Sequence, residues 1–91
     1  MSATSPDLLI INKRGLHARA SAKFVQTVGQ YQAEVHVTKD GTTVGGMSIM
    51  GLMMLAASTG CSVHVTASGP QASEALDALE QLVANKFGED A

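Results

Sequence analysis

Residues 33–45, with the sequence AEVHVTKDGTTVG, indicate how the chain is built. Small or apolar residues at positions 33, 35 and 37 alternate with polar residues at 34, 36 and 38, which is typical of a strand with one buried face. Asp40-Gly41 is a strong signal for a two-residue hairpin turn, and residues 42–45 form the returning strand. The stretch therefore predicts an antiparallel hairpin with one buried face and one wet face.

Patterns on both sides of this hairpin complete the predicted order of elements. Residues 7–11 read as a strand buried on both faces or nearly so, and residues 62–68 alternate like the first hairpin strand. Apolar residues recur at helical spacing over residues 18–28, 48–55 and about 70–87. Gly29 is predicted to end the first helix and Ser48 to be the N-cap of the second. Pro70 is predicted to be the first residue of the third helix. The order β-α-β-β-α-β-α predicts an α+β fold in which three helices cover one face of a four-stranded, mostly antiparallel sheet.

Length, charge and composition bound the class of protein. The 91 residues suffice for one compact domain, which we expect over residues 7–91, with residues 1–6 as a flexible tail. The net charge is −2 and the basic residues are unclustered, which argues against nucleic acid as a partner. No apolar run could cross a bilayer and no secretory signal is found. With Cys61 alone, we expect a cytoplasmic protein without disulfide or membrane contact, and a monomer is the simplest assembly.

Residues 15–19, Gly-Leu-His-Ala-Arg, carry the chemistry. They place the imidazole of His17 at a helix start, where unpaired N–H groups attract anions and disfavour a protonated ring. The neutral ring keeps a lone pair that can attack phosphorus. We predict that His17 accepts a phosphoryl group, which the amides of Ala18, Arg19 and Ala20 and the Arg19 guanidinium then stabilise. Taken alone, the motif also fits a histidine that only caps a helix.

Three stretches in chain order resemble the HPr family, the histidine phosphocarriers of the bacterial phosphotransferase system. They are residues 15–19, residues 48–51 (Ser-Ile-Met-Gly) and residues 69–71 (Gly-Pro-Gln). The resemblance runs through nearly the whole chain. The resemblance implies an open-faced β-sandwich and a transient phosphate on the Nδ1 (pros) nitrogen of His17. It implies no cofactor.

Two positions depart from the family pattern, and several other residues bear on whether the chain resembles the sugar branch or the nitrogen-regulatory branch of the family. Ala20 stands where most members have proline after the arginine, and Arg14 stands where many sugar-branch members have a small polar residue. Proline would preset the helix start, whereas alanine only permits it. The Asn12-Lys13 pair, and residues 69–71 (Gly-Pro-Gln) with residues 74–76 (Glu-Ala-Leu), resemble the nitrogen-regulatory branch more than the sugar branch, and both branches stay open.

The resemblance also implies the partners of the chain. Enzyme I-type proteins, which draw phosphate from phosphoenolpyruvate, would phosphorylate His17, and EIIA-type proteins would receive the phosphate. The chain would then be a substrate of its partners and not an enzyme. In part of the family the serine that matches Ser48 is a regulatory site for an HPr kinase/phosphorylase. By resemblance, the second helix and the first one form the surface on which the partners dock. The predicted docking residues are Met47, Ile49, Met50, Leu52 and Met53.

A function from another class fits the same sequence. The chain could be a regulatory binding module whose switch is phosphorylation of Ser48, with no phosphoryl transfer through His17. The two functions differ in whether His17 accepts phosphate from an Enzyme I-type donor. A metal site is not predicted, because His36, His64 and Cys61 lack the spacing of convergent ligands.

Overall fold

A computed structural model describes residues 2–91; Met1, the first residue of the predicted tail, lies outside them. In chain order the elements of this range are β1 (Ser2–Thr4), β2 (Leu8–Leu9), α1 (Ala18–Val28), β3 (Glu34–Lys39), β4 (Thr42–Gly45), α2 (Ile49–Met54), β5 (Ser62–Ser68) and α3 (Ala72–Ala84). A single 3-10 turn, Lys86–Gly88, follows the last helix. The predicted order of strands and helices is confirmed, with one additional short strand at the start.

The sheet has the order β1-β5-β3-β4, and β2 also pairs with β5. Every strand pair in residues 2–91 is antiparallel. Thr4 pairs with Thr66 and Leu8 pairs with Val63, so one extra residue lies between the two pairs on the N-terminal side. This is a bulge, and β1 and β2 are two parts of one edge strand along β5. The predicted antiparallel sheet with four strand positions is therefore confirmed.

The N-terminal strand differs from the prediction in two respects. Ser2–Thr4 belongs to the sheet rather than to a tail, because backbone pairing with β5 holds residues whose short polar side chains give no hydrophobic period. The strand predicted over residues 7–11 is also not buried on both faces. Leu8 and Ile10 enter the core, whereas Leu9 and Ile11 are exposed on the open face of the sheet.

The hairpin formed by β3 and β4 has the predicted form. Asp40 and Gly41 both have positive φ, 52° and 81°, as a two-residue turn between twisted strands requires. The alternate residues of β3 and β5 point to one side, against the buried faces of the helices. The buried side chains of this layer include Val35, Val37, Val63, Val65, Phe24, Leu52, Leu76 and Leu79.

The last helix is shorter than predicted at both ends. Gln71 is its N-cap, so Pro70 precedes the helix and is not its first residue. The helix ends at Ala84, although apolar spacing continues to Phe87. Lys86 and Phe87 have φ of 56° and 54°, which turns the chain back toward α1 while the Phe87 side chain stays fully buried. This reversal determines where residues 88–91 lie.

Candidate functional site

The loop before α1 is fixed by Gly15. Its φ is +65°, and a Cβ atom at this position would lie 2.4 Å from the carbonyl oxygen of Ala57. The next residue, Leu16, is buried and its N–H donates to the same oxygen at 2.9 Å. The motif glycine thus lets the chain cross the loop that follows α2, and it delivers His17 to the first position before α1.

His17 is the N-cap of α1, with an extended backbone at φ −75° and ψ −178°. Its carbonyl accepts from the N–H of Ser21 at 2.9 Å, which closes the first helical turn. Its side chain does not cap the helix, and within residues 2–91 no acceptor takes up the amides of Ala18 and Arg19. Both residues are exposed, so their N–H groups are available to an anion.

Ala20 does not fit its predicted role in phosphate binding. It is 0 % exposed and packs in the core with Phe24 and Val28 on the buried face of α1. Ala18 and Arg19 are exposed beside the ring of His17, whereas Ala20 is not. The short side chain of Ala20 is explained by packing alone.

The imidazole of His17 is paired with an acid from the end of the chain. Its Nε2 lies 2.5 Å from Oε2 of Glu89, and the two side chains are 23 % and 14 % exposed. The other carboxylate oxygen, Oε1, accepts from Nδ2 of Asn12 at 3.1 Å. The same Nδ2 donates to the carbonyl of Gly15 at 2.8 Å, and Asn12 is completely buried. A chain of hydrogen bonds thus joins Asn12, Glu89 and His17.

Two contacts hold the segment that carries Glu89. The ammonium group of Lys23, on α1, donates to the carbonyl of the buried Phe87 at 2.5 Å. The N–H of Lys13 donates to the carbonyl of Ala91 at 3.0 Å. Residues 88–91 are therefore tied to both α1 and the loop before it, so Glu89 does not depend on its own side chain for its place beside His17.

The pKa of Glu89 is lowered below its ordinary value of 4.5. Desolvation by burial is the largest single influence and acts in the opposite direction. The hydrogen bonds from His17 and Asn12 outweigh it, together with the charges of His17 and Arg14. Glu89 is therefore an ionised acceptor at neutral pH.

Basic side chains gather around this cluster. A cavity of about 370 Å³ opens beside His17 and Glu89, and four of the six basic residues of the chain line it: Lys13, Arg14, Arg19 and Lys23. Arg19, predicted to stabilise phosphate, is brought to the same cavity as His17. The cavity also receives residues 88–91, so it combines cationic groups with the acid that contacts the imidazole.

A second cavity, of about 280 Å³, connects His17 to the surface of α2. Arg14, His17 and Met53 line it, together with the loop at Ala57. Of the residues predicted for docking, Met47, Ile49, Met50 and Met53 are exposed, and so is the neighbouring Met54. The prediction of Leu52 as a docking residue is wrong. Its side chain is 0 % exposed, because it lies on the face of α2 that packs against the core.

Ser48 is the N-cap of α2, as predicted. Its Oγ accepts from the N–H of Gly51 at 2.9 Å, and the residue is exposed. The other two histidines lie on the open face of the sheet. His64 Nδ1 is 3.0 Å from Oδ1 of Asp7, and His36 Nε2 is 3.7 Å from Oε1 of Glu34. Within residues 2–91 no group of three or more potential metal ligands converges, and none of the helices has the length and apolarity to cross a membrane.

Neither Glu89 nor the structural part played by Asn12 was predicted from the sequence. The two residues are 77 positions apart in the chain, and neither belongs to a periodic pattern. The apolar Phe87 followed by Gly88 signals that a turn is packed after the helix. That signal does not identify the residue that the turn brings to His17.

Comparisons with known proteins identify the family to which the chain is similar. The family model described as "PTS HPr component phosphorylation site" matches residues 4–85. The phosphocarrier protein HPr of Cupriavidus necator is 52 % identical over 83 residues, covering 91 % of this chain and 93 % of that protein. HPr of Neisseria meningitidis serogroup A is 54 % identical over 80 residues, covering 88 % and 90 %.

Solved structures give the same result. A crystal structure of HPr-C-His from Thermoanaerobacter tengcongensis has a TM-score of 0.89 and 42 % identity, and covers 100 % of this chain and 99 % of that one. A structure titled as an HPr dimer from the same organism has a TM-score of 0.76 and 44 % identity, and covers 93 % and 98 %. The chain therefore belongs to the HPr family, the phosphocarrier proteins of the phosphotransferase system.

Proposed function

We propose that His17 is the residue that carries the phosphoryl group, taken from an Enzyme I-type protein and passed to an EIIA-type protein. The observation that supports this most directly is the position of the imidazole. It stands at the start of α1 beside two amides that have no acceptor within residues 2–91, and it opens on a cavity lined by four basic side chains. Such a site stabilises a phosphate for a short time without enclosing it, as a carrier requires.

The reactive nitrogen is proposed to be Nδ1. Nε2 is engaged by Glu89, whereas Nδ1 makes no hydrogen bond within residues 2–91. After attack by Nδ1, the amides of Ala18 and Arg19 would donate to phosphate oxygens. The guanidinium of Arg19 would add charge-assisted hydrogen bonds. The partner supplies the alignment of the two phosphate sites, which is the main catalytic contribution to an in-line transfer.

The partner surface is proposed to lie around α2. The exposed methionines of this helix adjoin the cavity that reaches His17, so a protein seated on them would cover the imidazole. Unbranched, polarizable methionine side chains adapt to more than one partner, which suits a carrier that meets a donor and an acceptor in turn. We expect a monomer in the cytoplasm, because this surface must be free for each partner.

Ser48 is proposed as a regulatory phosphorylation site. It is exposed at the start of the helix that carries the docking surface, and an HPr kinase/phosphorylase would add about two negative charges there. The alternative function, a binding module switched by Ser48 alone, rests on the same exposure. It would leave His17 without a chemical role.

The deciding experiment is incubation with an Enzyme I-type protein and labelled phosphoenolpyruvate. We expect the wild type to take up label that is lost in mild acid and survives base, as an N–P bond does. His17→Ala should take up none and keep the wild-type circular dichroism. His64→Ala, which removes another exposed histidine, is the matched control and should be labelled normally. An acid-stable label, or full labelling of His17→Ala, would overturn the carrier function and favour the binding module. Transfer to EIIA proteins of the sugar and nitrogen branches separates the two branches.

A further inference from the structure

We infer that Glu89, oriented by Asn12, is a positioning residue that selects which nitrogen of His17 reacts. The inference rests on the proposed function of His17 as phosphoryl acceptor. It adds a residue that neither the Gly-Leu-His-Ala-Arg motif nor the family match contains, because the match ends at residue 85 and Glu89 lies beyond it.

The selection follows from the hydrogen bond. An ionised carboxylate can only accept, and Oε2 of Glu89 lies 2.5 Å from Nε2 of His17. Nε2 must therefore carry the proton. A neutral imidazole has one proton on its two nitrogens, so Nδ1 keeps its lone pair. The tautomer that Glu89 stabilises is the one that can attack phosphorus through Nδ1.

Asn12 determines which groups face the imidazole. Its Nδ2 contacts two acceptors, the carbonyl of Gly15 and Oε1 of Glu89, so the amide nitrogen is assigned to this side by its partners. The buried Oδ1 of Asn12 has no partner within residues 2–91. Asn12 thus acts as a fixed donor that holds Oε1 and leaves Oε2 to His17.

The hydrogen bond between Glu89 and Nε2 of His17 also suits the charge that develops during phosphoryl transfer. The lone pair of Nδ1 forms the new N–P bond while the bond from phosphorus to the donor breaks, and that electron pair leaves with the donor group. The proton stays on Nε2, so the phosphorylated ring carries a positive charge. Glu89 faces that charge directly and stabilises it, and no proton has to leave or enter the site during the step.

The isosteric variant Glu89→Gln gives a sharp test. Asn12 would donate to the amide oxygen of the variant, which leaves the amide NH₂ group facing Nε2 of His17. Nε2 would then accept, and the proton would move to Nδ1. The variant should therefore reverse the tautomer without a change in shape, an effect that loss of a merely structural contact would not produce.

The tautomer is read from ring ¹⁵N chemical shifts of the unphosphorylated protein at a pH where the imidazole is neutral. We expect Nε2–H in the wild type, mainly Nδ1–H in Glu89→Gln, and a mixture in Glu89→Ala. Asp90→Asn makes the same acid-to-amide change one residue on and should keep Nε2–H. Phosphate acceptance from an Enzyme I-type donor should fall on the order of tenfold or more in Glu89→Gln.

The two hypotheses fail in different ways. If the wild type takes no phosphate on His17, the proposed function is wrong, whatever the tautomer. If the wild type is phosphorylated and Glu89→Gln keeps both the wild-type tautomer and the wild-type rate, the positioning role is wrong and the carrier function stands. A tautomer change in Asp90→Asn as large as that in Glu89→Gln would also overturn the specific role of Glu89.

Discussion

Gly15 and Ala57 approach so closely that only a hydrogen atom fits between the Cα of one and the carbonyl oxygen of the other. The distance from that oxygen to a Cβ atom built on Gly15 would be 2.4 Å. This contact joins the loop before α1 to the loop after α2. It therefore sets the position of His17 relative to α2, whose exposed methionines form the proposed docking surface.

Gly15→Ala should lower both stability and phosphate acceptance. The substitution combines a left-handed φ of +65° with a clash against backbone, so one of the two loops must move. We expect a loss of about 3 kcal/mol in the free energy of unfolding, measured by urea denaturation. Phosphate uptake should fall more than the unfolded fraction explains.

Gly41→Ala is the matched control for this prediction. Gly41 also has a positive φ, +81°, but no atom of residues 2–91 lies within 4 Å of a Cβ atom built there. Gly41→Ala should lower the free energy of unfolding by only about 1–2 kcal/mol, because only the backbone conformation opposes it, and phosphate uptake should stay unchanged. Equal effects of the two substitutions on uptake would mean that the Gly15–Ala57 contact does not position His17.

The sequence predicted those features that depend on local periods and turn chemistry. The β3–β4 hairpin, the inward face of β5 and the cap at Ser48 all follow from residues within a few positions of one another. Leu52 could not be assigned in the same way, because a helix of six residues is too short for its spacing to distinguish a buried face from an exposed one.

The strand Ser2–Thr4 and the contact of Glu89 with His17 could not be predicted, for a different reason. Ala3 pairs through its backbone with Ala67, which is 64 positions away in the sequence, and no side-chain pattern predicts this pairing. Glu89 reaches His17 across 72 residues, through a turn in which two non-glycine residues have positive φ. Both contacts depend on where the rest of the fold places the chain ends.

Phe87→Ala should destabilise the protein and release Glu89 from His17. The ring is fully buried beyond the end of α3, and truncation of a buried phenylalanine costs about 3–5 kcal/mol. Urea denaturation measures the loss, and the ring ¹⁵N shifts of His17 report the release. Met54→Ala, at an exposed position on α2, should change stability by less than about 0.5 kcal/mol. An unchanged His17 environment in Phe87→Ala would mean that residues 88–91 are held without this anchor.

The stability of the protein should depend on pH through Glu89. Its pKa is lower in the folded chain than the ordinary 4.5, so its contribution is present above that value and is lost as the pH falls through the lowered folded value. The charges of His17 and Arg14 act on this carboxylate directly, and Lys13, Arg19, Lys23 and Asp90 line the same cavity. Urea midpoints of wild type and Glu89→Gln should therefore converge from about pH 5 downward. Asp90→Asn should follow the wild-type curve, and a gap between wild type and Glu89→Gln that is constant with pH would contradict the assignment.

Arg19→Ala should slow transfer while the melting curve stays the same. Arg19 is exposed at the start of α1 and makes no hydrogen bond to another side chain in residues 2–91, so the fold loses little without it. A charge-assisted hydrogen bond to phosphate contributes about 1.5–3 kcal/mol, which corresponds to roughly ten- to a hundredfold in rate. Arg19→Lys keeps the charge but lacks the planar guanidinium, so its transfer rate should lie between those of the wild type and Arg19→Ala. Wild-type kinetics in Arg19→Ala would remove this residue from the site.

Ser48→Asp and Ser48→Asn separate the two roles of Ser48. Aspartate and asparagine both replace serine well as an N-cap, so both variants should keep the wild-type melting curve. Only aspartate adds a charge beside the exposed methionines, and a charge at the rim of an interface acts mainly on association rate and its salt dependence. We therefore expect slower and more salt-sensitive phosphate transfer from an Enzyme I-type donor in Ser48→Asp, and wild-type transfer in Ser48→Asn. Equal slowing in both variants would assign the effect to the lost hydroxyl. Wild-type rates in both, at low and high salt, would leave Ser48 with its structural role as a helix cap alone.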